Sequence, residues 1–182
     1  MPHPPQGSRA YIRLLFGFLL LILLLPTLAH AQSSVLYGWG NNDYGQLGNG
    51  TTFSTRYATP VPALPDMVQV ACGANYTLAL KKDGTVWAWG DNSAGELGDG
   101  TLQQRTSPVQ AVGLKNIVSV VTGGRSSYAL GADGYVWAWG DNTNSTLGLG
   151  ESVKERKITT PTLIKSIDKV VQVAIGRCAL AL

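Results

Sequence analysis

The residues able to do acid–base or metal chemistry in this chain are few, and their spacing limits what they can do. Asp91, Glu96, Asp99 and Asp141 sit among glycines and asparagines and offer a carboxylate pair or a calcium site on composition alone. Their spacing misses the alternating oxygen ligands of an EF-hand loop. Asp and Asn beside Gly more simply fix turns by hydrogen bonding to their own backbone. Nucleophilic catalysis by a Ser–His or Cys–His pair needs an imidazole, and the two histidines, His3 and His30, both lie in an N-terminal segment expected to be removed. Ser–Lys arrangements remain open, but no spacing singles one out. No Gly-rich loop leads into a helix, so the glycines read as turn punctuation and not as a phosphate cradle. The residues imply no catalytic group, no cofactor and no metal.

That N-terminal segment covers residues 1–31. Arg9 and Arg13 precede an apolar run from Leu14 to Leu25, followed by Pro26 and the small-residue pattern Ala29-His30-Ala31. This is the order of a secretory signal cleaved after Ala31, and the run is short of the ~20 residues of a membrane span. An uncleaved anchor is the alternative. Gln32 follows in place of a lipid-accepting Cys. The expectation is a secreted or periplasmic chain of residues 32–182, with no membrane association after cleavage. Cleavage removes two of the 14 Lys and Arg residues and none of the 11 acids, so a formal charge of +3 becomes nearly neutral. A near-neutral chain lacks the basic stripe that grips nucleic acid regardless of sequence, and no nucleic-acid partner is expected.

The elements that position these residues repeat. Trp39-Gly40, Trp89-Gly90 and Trp139-Gly140 are spaced by 50, as are Trp87 and Trp137. A period of this size means units that bury their apolar faces on one another. In Thr85-Val86-Trp87-Ala88-Trp89 the alternation puts both tryptophans on one face, which predicts a strand. A glycine-rich structured loop follows from Gly90 to Thr101. Further strands are predicted at Val109–Val112 after Pro108, at Ile117–Val121, at Ser127–Leu130 and at Tyr135–Trp139. Asp83-Gly84 and Asp133-Gly134 mark hairpins. Each unit therefore holds four short antiparallel strands, the content of a β-propeller blade. Packing between blades is the expected use of the tryptophans, each burying on the order of 200 Å². Stacking on a ligand is the alternative.

Cys72 and Cys178 are the two cysteines. They occupy corresponding segments of the first and third repeats, which a stack would hold two blades apart, beyond the about 7 Å between alpha carbons that a bridge needs. Asn49-Gly50-Thr51, Asn75-Tyr76-Thr77 and Asn144-Ser145-Thr146 match glycosylation sequons but are read as turn and strand residues.

Trp39-Gly40-Asn41-Asn42-Asp43-Tyr44-Gly45-Gln46-Leu47-Gly48-Asn49-Gly50-Thr51 and the segment Trp89 to Thr101 resemble one signature of the regulator of chromosome condensation repeat family. Val70 to Leu80 resembles its second signature. The resemblance covers residues 35 to 182. It marks Trp39, Gly40, Gly45, Leu47, Gly48 and Gly73 in the first unit; Trp87, Trp89, Gly90, Gly95, Leu97, Gly98 and Gly123 in the second; and Trp137, Trp139, Gly140, Leu147 and Gly148 in the third. The chain departs from the family where Tyr76 and Ser126 replace a common histidine, where Ser145 replaces a loop glycine, and where Leu149 stands opposite Asp99. Family propellers typically have seven blades, and the chain carries about three, beginning at the third strand of a unit. The resemblance therefore implies a partial, all-β propeller with exposed edges, prone to edge-to-edge association.

Function is then expected on a surface. Repeated loops on a rigid scaffold form a protein-recognition face, so the expected partner is a protein. Similar bacterial propellers that block β-lactamase suggest inhibition of a secreted enzyme. The family's name-giving guanine-nucleotide exchange is the alternative, against which export argues. An enzyme such as a propeller lyase comes last.

Overall fold

Alternation of small or branched residues with aromatics dictates strands, and the Asp-Gly and Trp-Gly pairs dictate where they end. A computed structural model describes residues 35–61, 64–176 and 178–182; the expected signal segment lies outside the described residues. The strands are β1 (Tyr37–Gly40), β2 (Thr55–Pro60), β3 (Met67–Cys72), β4 (Tyr76–Lys81), β5 (Val86–Gly90), β6 (Arg105–Gln110), β7 (Ile117–Gly123), β8 (Ser126–Gly131), β9 (Val136–Asp141), β10 (Lys157–Leu163), β11 (Val173–Ile175) and β12 (Ala179–Ala181). They pair antiparallel in chain order into two four-stranded sheets, β3 to β6 and β7 to β10, flanked by two-stranded sheets β1–β2 and β11–β12. Two whole blades thus stand between two half-blades. β1–β2 repeats the third and fourth strands of a blade, and β11–β12 the first and second.

The Val109–Val112 expectation is corrected: β6 runs from Arg105 to Gln110 and takes in Pro108. A proline lacks the N–H of a ladder. Here the pairing jumps from Ala88↔Val109 to Gly90↔Arg105, so extra residues bulge out and Pro108 needs no partner. The same bulge recurs in β10, between Ile158 and Thr162, where Pro161 sits. Each Asp-Gly hairpin closes as foreseen. Gly84 N–H donates to the Lys81 carbonyl at 2.9 Å, and Gly84 has φ of 78°. Asp83 accepts the Thr85 amide and hydroxyl at 3.0 and 2.6 Å.

The inner strands form the core. A continuous buried cluster runs from Tyr76, Leu78 and Leu80 through Ile117, Val120 and Tyr128 to Val136, Trp139 and Val170, crossing from the first whole blade to the second. The Gln69 amide clamps the blades by donating to the Val120 carbonyl and accepting the Val120 amide, both at 3.0 Å. No helix among the described residues is long and apolar enough to cross a membrane.

Candidate functional site

Each Trp-Gly pair launches a loop, residues 41–54, 91–104 and 142–156, and one buried asparagine closes each loop on itself. The Asn42, Asn92 and Asn142 side-chain oxygens accept the Leu47, Leu97 and Leu147 amides at 2.9, 3.0 and 3.3 Å. Their amide groups donate across the loop to the carbonyls of Thr51, Thr101 and Glu155. Residue-type reasoning passed over these asparagines, although their spacing of 50 is as regular as that of the tryptophans.

The acids serve the same loops. Asp99 accepts the Thr101 amide and hydroxyl at 2.9 and 2.7 Å and pairs with Arg105 at 2.9 Å. Partial burial pushes its carboxyl up, but those hydrogen bonds prevail and hold it below the usual carboxylate range. Asp141 is likewise lowered, its burial outweighed by Thr143 and by the charges of Arg125 and Lys157. Asp91 accepts the Ser93 amide. Among the described residues no three His, Cys, Asp or Glu side chains gather into a group that could hold a metal. Cys72 and Cys178 are both exposed and unbridged.

Glu96 differs from the other acids in being buried at the joint between blades. It is 0% exposed. Its carboxylate accepts the Ala94 amide at 2.6 Å and pairs at 3.3 Å with Arg125 from the next blade. Arg125 also donates to the Ser93 hydroxyl. The Glu96 main-chain carbonyl receives the Trp139 indole N–H at 2.8 Å and the Ser127 hydroxyl at 2.7 Å. Tyr76 adds its hydroxyl, donating to the Ser126 carbonyl at 2.7 Å, with its oxygen 2.9 Å from the Ser127 hydroxyl, whose one proton is shared between Tyr76 and the Glu96 carbonyl. One blade earlier, the Gln46 carbonyl receives the Trp89 indole and the Thr77 hydroxyl, both at 2.8 Å. The joint between blades is thus a loop carbonyl capped by the tryptophan and a hydroxyl of the following blade.

This explains which signature residues are buried. Trp89 and Trp139 are 1% and 0% exposed, whereas Trp39, expected to be core, is 64% exposed. No loop of a preceding blade lies over Trp39 among the described residues. Trp87 and Trp137 are half-buried. Gly98 lets Trp139 approach: a Cβ there would lie 2.8 Å from the indole nitrogen, as one at Gly48 would lie 2.7 Å from that of Trp89. Gly148 meets no such indole; its nearest neighbour is the Ile164 methyl at 3.9 Å. Ser145, where the other loops carry Gly45 and Gly95, keeps the left-handed backbone at φ of 58°.

The loops converge with the β3–β4 and β7–β8 turns on one end of the blades, since the Asp91 and Asp141 amides donate to the Asn75 and Arg125 carbonyls. There, Tyr44, Asn75, Asp91, Ser93, Leu102, Gln104 and Arg125 line a groove of about 530 Å³. Tyr44 and Leu102 are exposed, and the Arg125 side chain is 44% exposed although its guanidinium is anchored on buried Glu96. A fixed cation between hydrogen-bonding and apolar groups suits recognition of a polypeptide segment.

The comparisons agree with this architecture. The model of the regulator of chromosome condensation repeat matches residues 34–80, 83–130 and 133–178, and a second model of the same repeat matches 67–96 and 117–145. The E3 ubiquitin-protein ligase HERC2 of Homo sapiens is 44% identical over 57 residues, 30% of this chain and 1% of that protein, and the Mus musculus protein matches equally. Human WBSCR16 superposes with a TM-score of 0.71 at 26% identity, covering 83% of this chain and 40% of that one. Prp20p from Saccharomyces cerevisiae, described with its binding to Gsp1p and histones, superposes at 0.69 with 29% identity over 83% and 39%. The chain therefore spans about two fifths of these propellers and a small fraction of the ligase.

Proposed function

Because this chain belongs to the regulator of chromosome condensation repeat family, we propose that it is an exported, non-catalytic protein-recognition module that binds its partner through the loop face. The groove between Tyr44, Leu102 and Arg125 carries this reading. Arg125 is held in place by Glu96 before any partner arrives, so little side-chain freedom is lost on binding. Aromatic and arginine side chains beside apolar ones are the residue types that dominate binding energy in protein interfaces. Inhibition of a secreted enzyme is the narrower form of the same proposal. The second reading is the family's name-giving guanine-nucleotide exchange, which a nucleotide-release assay on small GTPases addresses.

The test is capture from a periplasmic or culture-supernatant fraction with the wild type, Tyr44→Ala and Leu102→Asp as baits. Both positions are exposed, so the variants should unfold at the wild-type midpoint while losing the captured protein. Retention of the same partner by both variants would remove the groove from the proposal. Export is checked by N-terminal sequencing of material expressed in a bacterial host, expected to begin at Gln32.

A further inference from the structure

The groove on the loop face holds one cation, yet its net charge is negative. Loops 41–54 and 91–104 carry the acids Asp43, Asp91, Glu96 and Asp99 and no lysine or arginine. Asp99 is paired with Arg105 at 2.9 Å and Glu96 with Arg125 at 3.3 Å, so both of those cations are cancelled. Among the described residues no basic side chain pairs with Asp43 or Asp91. Asp91 lines the groove beside Tyr44, and Asp43 precedes Tyr44 in the chain. The Asp91 carboxylate is fixed in place, one oxygen accepting the Ser93 amide at 2.9 Å and the other the Ser93 hydroxyl at 3.0 Å.

Arg125 is tethered as firmly, its Nε by Glu96 and one Nη by Ser93. The other Nη keeps its hydrogens for a partner, and with the charge cancelled these suit a main-chain carbonyl. The side-chain amides of Asn75 and Gln104 line the same groove without a hydrogen-bond partner among the described residues. Each offers both a donor and an acceptor, as the peptide groups of an extended chain require. Ala94 and Asn144 stand where Tyr44 does in the later loops, so neither of those loops presents an aromatic ring at that position.

The following rests on the loop-face reading and names what that face takes. We propose that the groove receives a basic segment of the protein partner: a lysine or arginine whose cation lies on the Tyr44 ring beside the Asp91 carboxylate, with an apolar neighbour on Leu102 and a main-chain carbonyl on Arg125. A ring face and a carboxylate together hold a cation that either alone would hold weakly. Complementary charge also selects the partner, because an acidic segment would meet Asp43 and Asp91.

The experiment is fluorescence anisotropy on the protein with short fluorescein-labelled serine–glycine peptides that carry leucine beside lysine, glutamine or glutamate. The lysine peptide should bind at least about fivefold more tightly than the glutamine peptide, the glutamate peptide more weakly than either, and the preference for lysine should shrink as salt is raised. Asp91→Asn keeps an oxygen for the Ser93 turn, and Tyr44→Leu changes an exposed position; both should melt with the wild type. Each should lower affinity for the lysine peptide about fivefold, whereas Tyr44→Phe, which retains the ring, should bind as the wild type does. Equal binding of the lysine and glutamine peptides, tighter binding of the glutamate peptide, no binding of any, or an Asp91→Asn variant with the full lysine preference would overturn the proposal. The capture experiment above then separates the two readings. Loss of the captured protein by Tyr44→Ala keeps the loop face and strikes only its basic occupant, whereas retention strikes the face as well.

Discussion

The joint at Gln46 and the joint at Glu96 share a backbone design and differ in side-chain chemistry. In both, a loop carbonyl receives an indole N–H and a hydroxyl from the next blade. In both, the side-chain oxygen of the same residue accepts the amide two positions earlier, Tyr44 at 3.0 Å or Ala94 at 2.6 Å. Gln46 then turns back into its own loop, donating to Asn41 at 2.7 Å. Glu96 instead reaches across to Arg125, and its joint lies within the continuous core cluster, whereas Leu47 and Trp89 are buried outside that cluster. The repeat therefore preserves the main-chain contact and leaves the side chain free to add a charge link where the core is deepest.

The strongest test of that difference is truncation of the tryptophans. Trp139→Ala should cost about 5 kcal/mol and Trp89→Ala about 3 kcal/mol, the span for large buried aromatics, while Trp39→Ala should leave the stability of a single chain within about 0.5 kcal/mol. Denaturant unfolding measures all three. Equal losses at Trp89 and Trp139 would erase the distinction between the joints.

Gly98 and Gly148 separate the close approach of an indole from backbone conformation. Both have left-handed φ, 71° and 69°, so alanine at either carries a penalty of about 1 kcal/mol. Only at Gly98 would the new methyl also strike Trp139, which should raise the cost to about 3 kcal/mol. A Gly148→Ala variant as unstable as Gly98→Ala would show that conformation alone decides.

The charge link can be removed and transplanted. Arg125→Ala leaves a buried carboxylate without its cation, and since Arg125 is half-exposed the expected loss is about 2 kcal/mol. Gln46→Glu should cost about 1 kcal/mol, because Asn75 occupies the position that Arg125 holds one blade later. Adding Asn75→Arg should recover it, and a double-mutant cycle without coupling would mean that the link depends on the deeper core and not on the pair.

The smallest effect concerns pH. Burial pushes the Tyr128 hydroxyl up to about 12, and it donates to the Thr146 carbonyl at 2.8 Å. A pKa raised above its ordinary value near 10 means stability that is complete below about pH 10 and is lost as pH rises towards 12. Tyr128→Phe should lower stability at neutral pH by about 1 kcal/mol and flatten part of the alkaline decline. A decline of unchanged steepness in that variant would assign it to other groups.

Much of the fold was legible because strand alternation and Asp-Gly or Trp-Gly punctuation report local backbone geometry, which neighbours a few residues away determine. The two hairpins, the four-strand unit and the phase of the first strand all follow from such signals. Pro108 misled because a proline reads as a boundary, and only the bulge opposite Ala88 and Gly90 shows how a strand accommodates it. Asn42, Asn92 and Asn142 were visible as a series of spacing 50, yet their role depends on a loop closing over them, which residue type does not reveal.

The amino-acid order by itself determined the repeat, its strands and the loops that follow each Trp-Gly pair, since these depend on contacts within one unit. Tertiary structure decided which copy of a repeated residue is buried: Trp39, Trp89 and Trp139 are chemically identical, yet one is exposed and two are core. It also decided that Glu96 and Arg125, 29 positions apart, meet across a joint. Burial and pairing of this kind are set by what the adjacent unit presents, and periodicity within a unit carries no information about the surface laid against it.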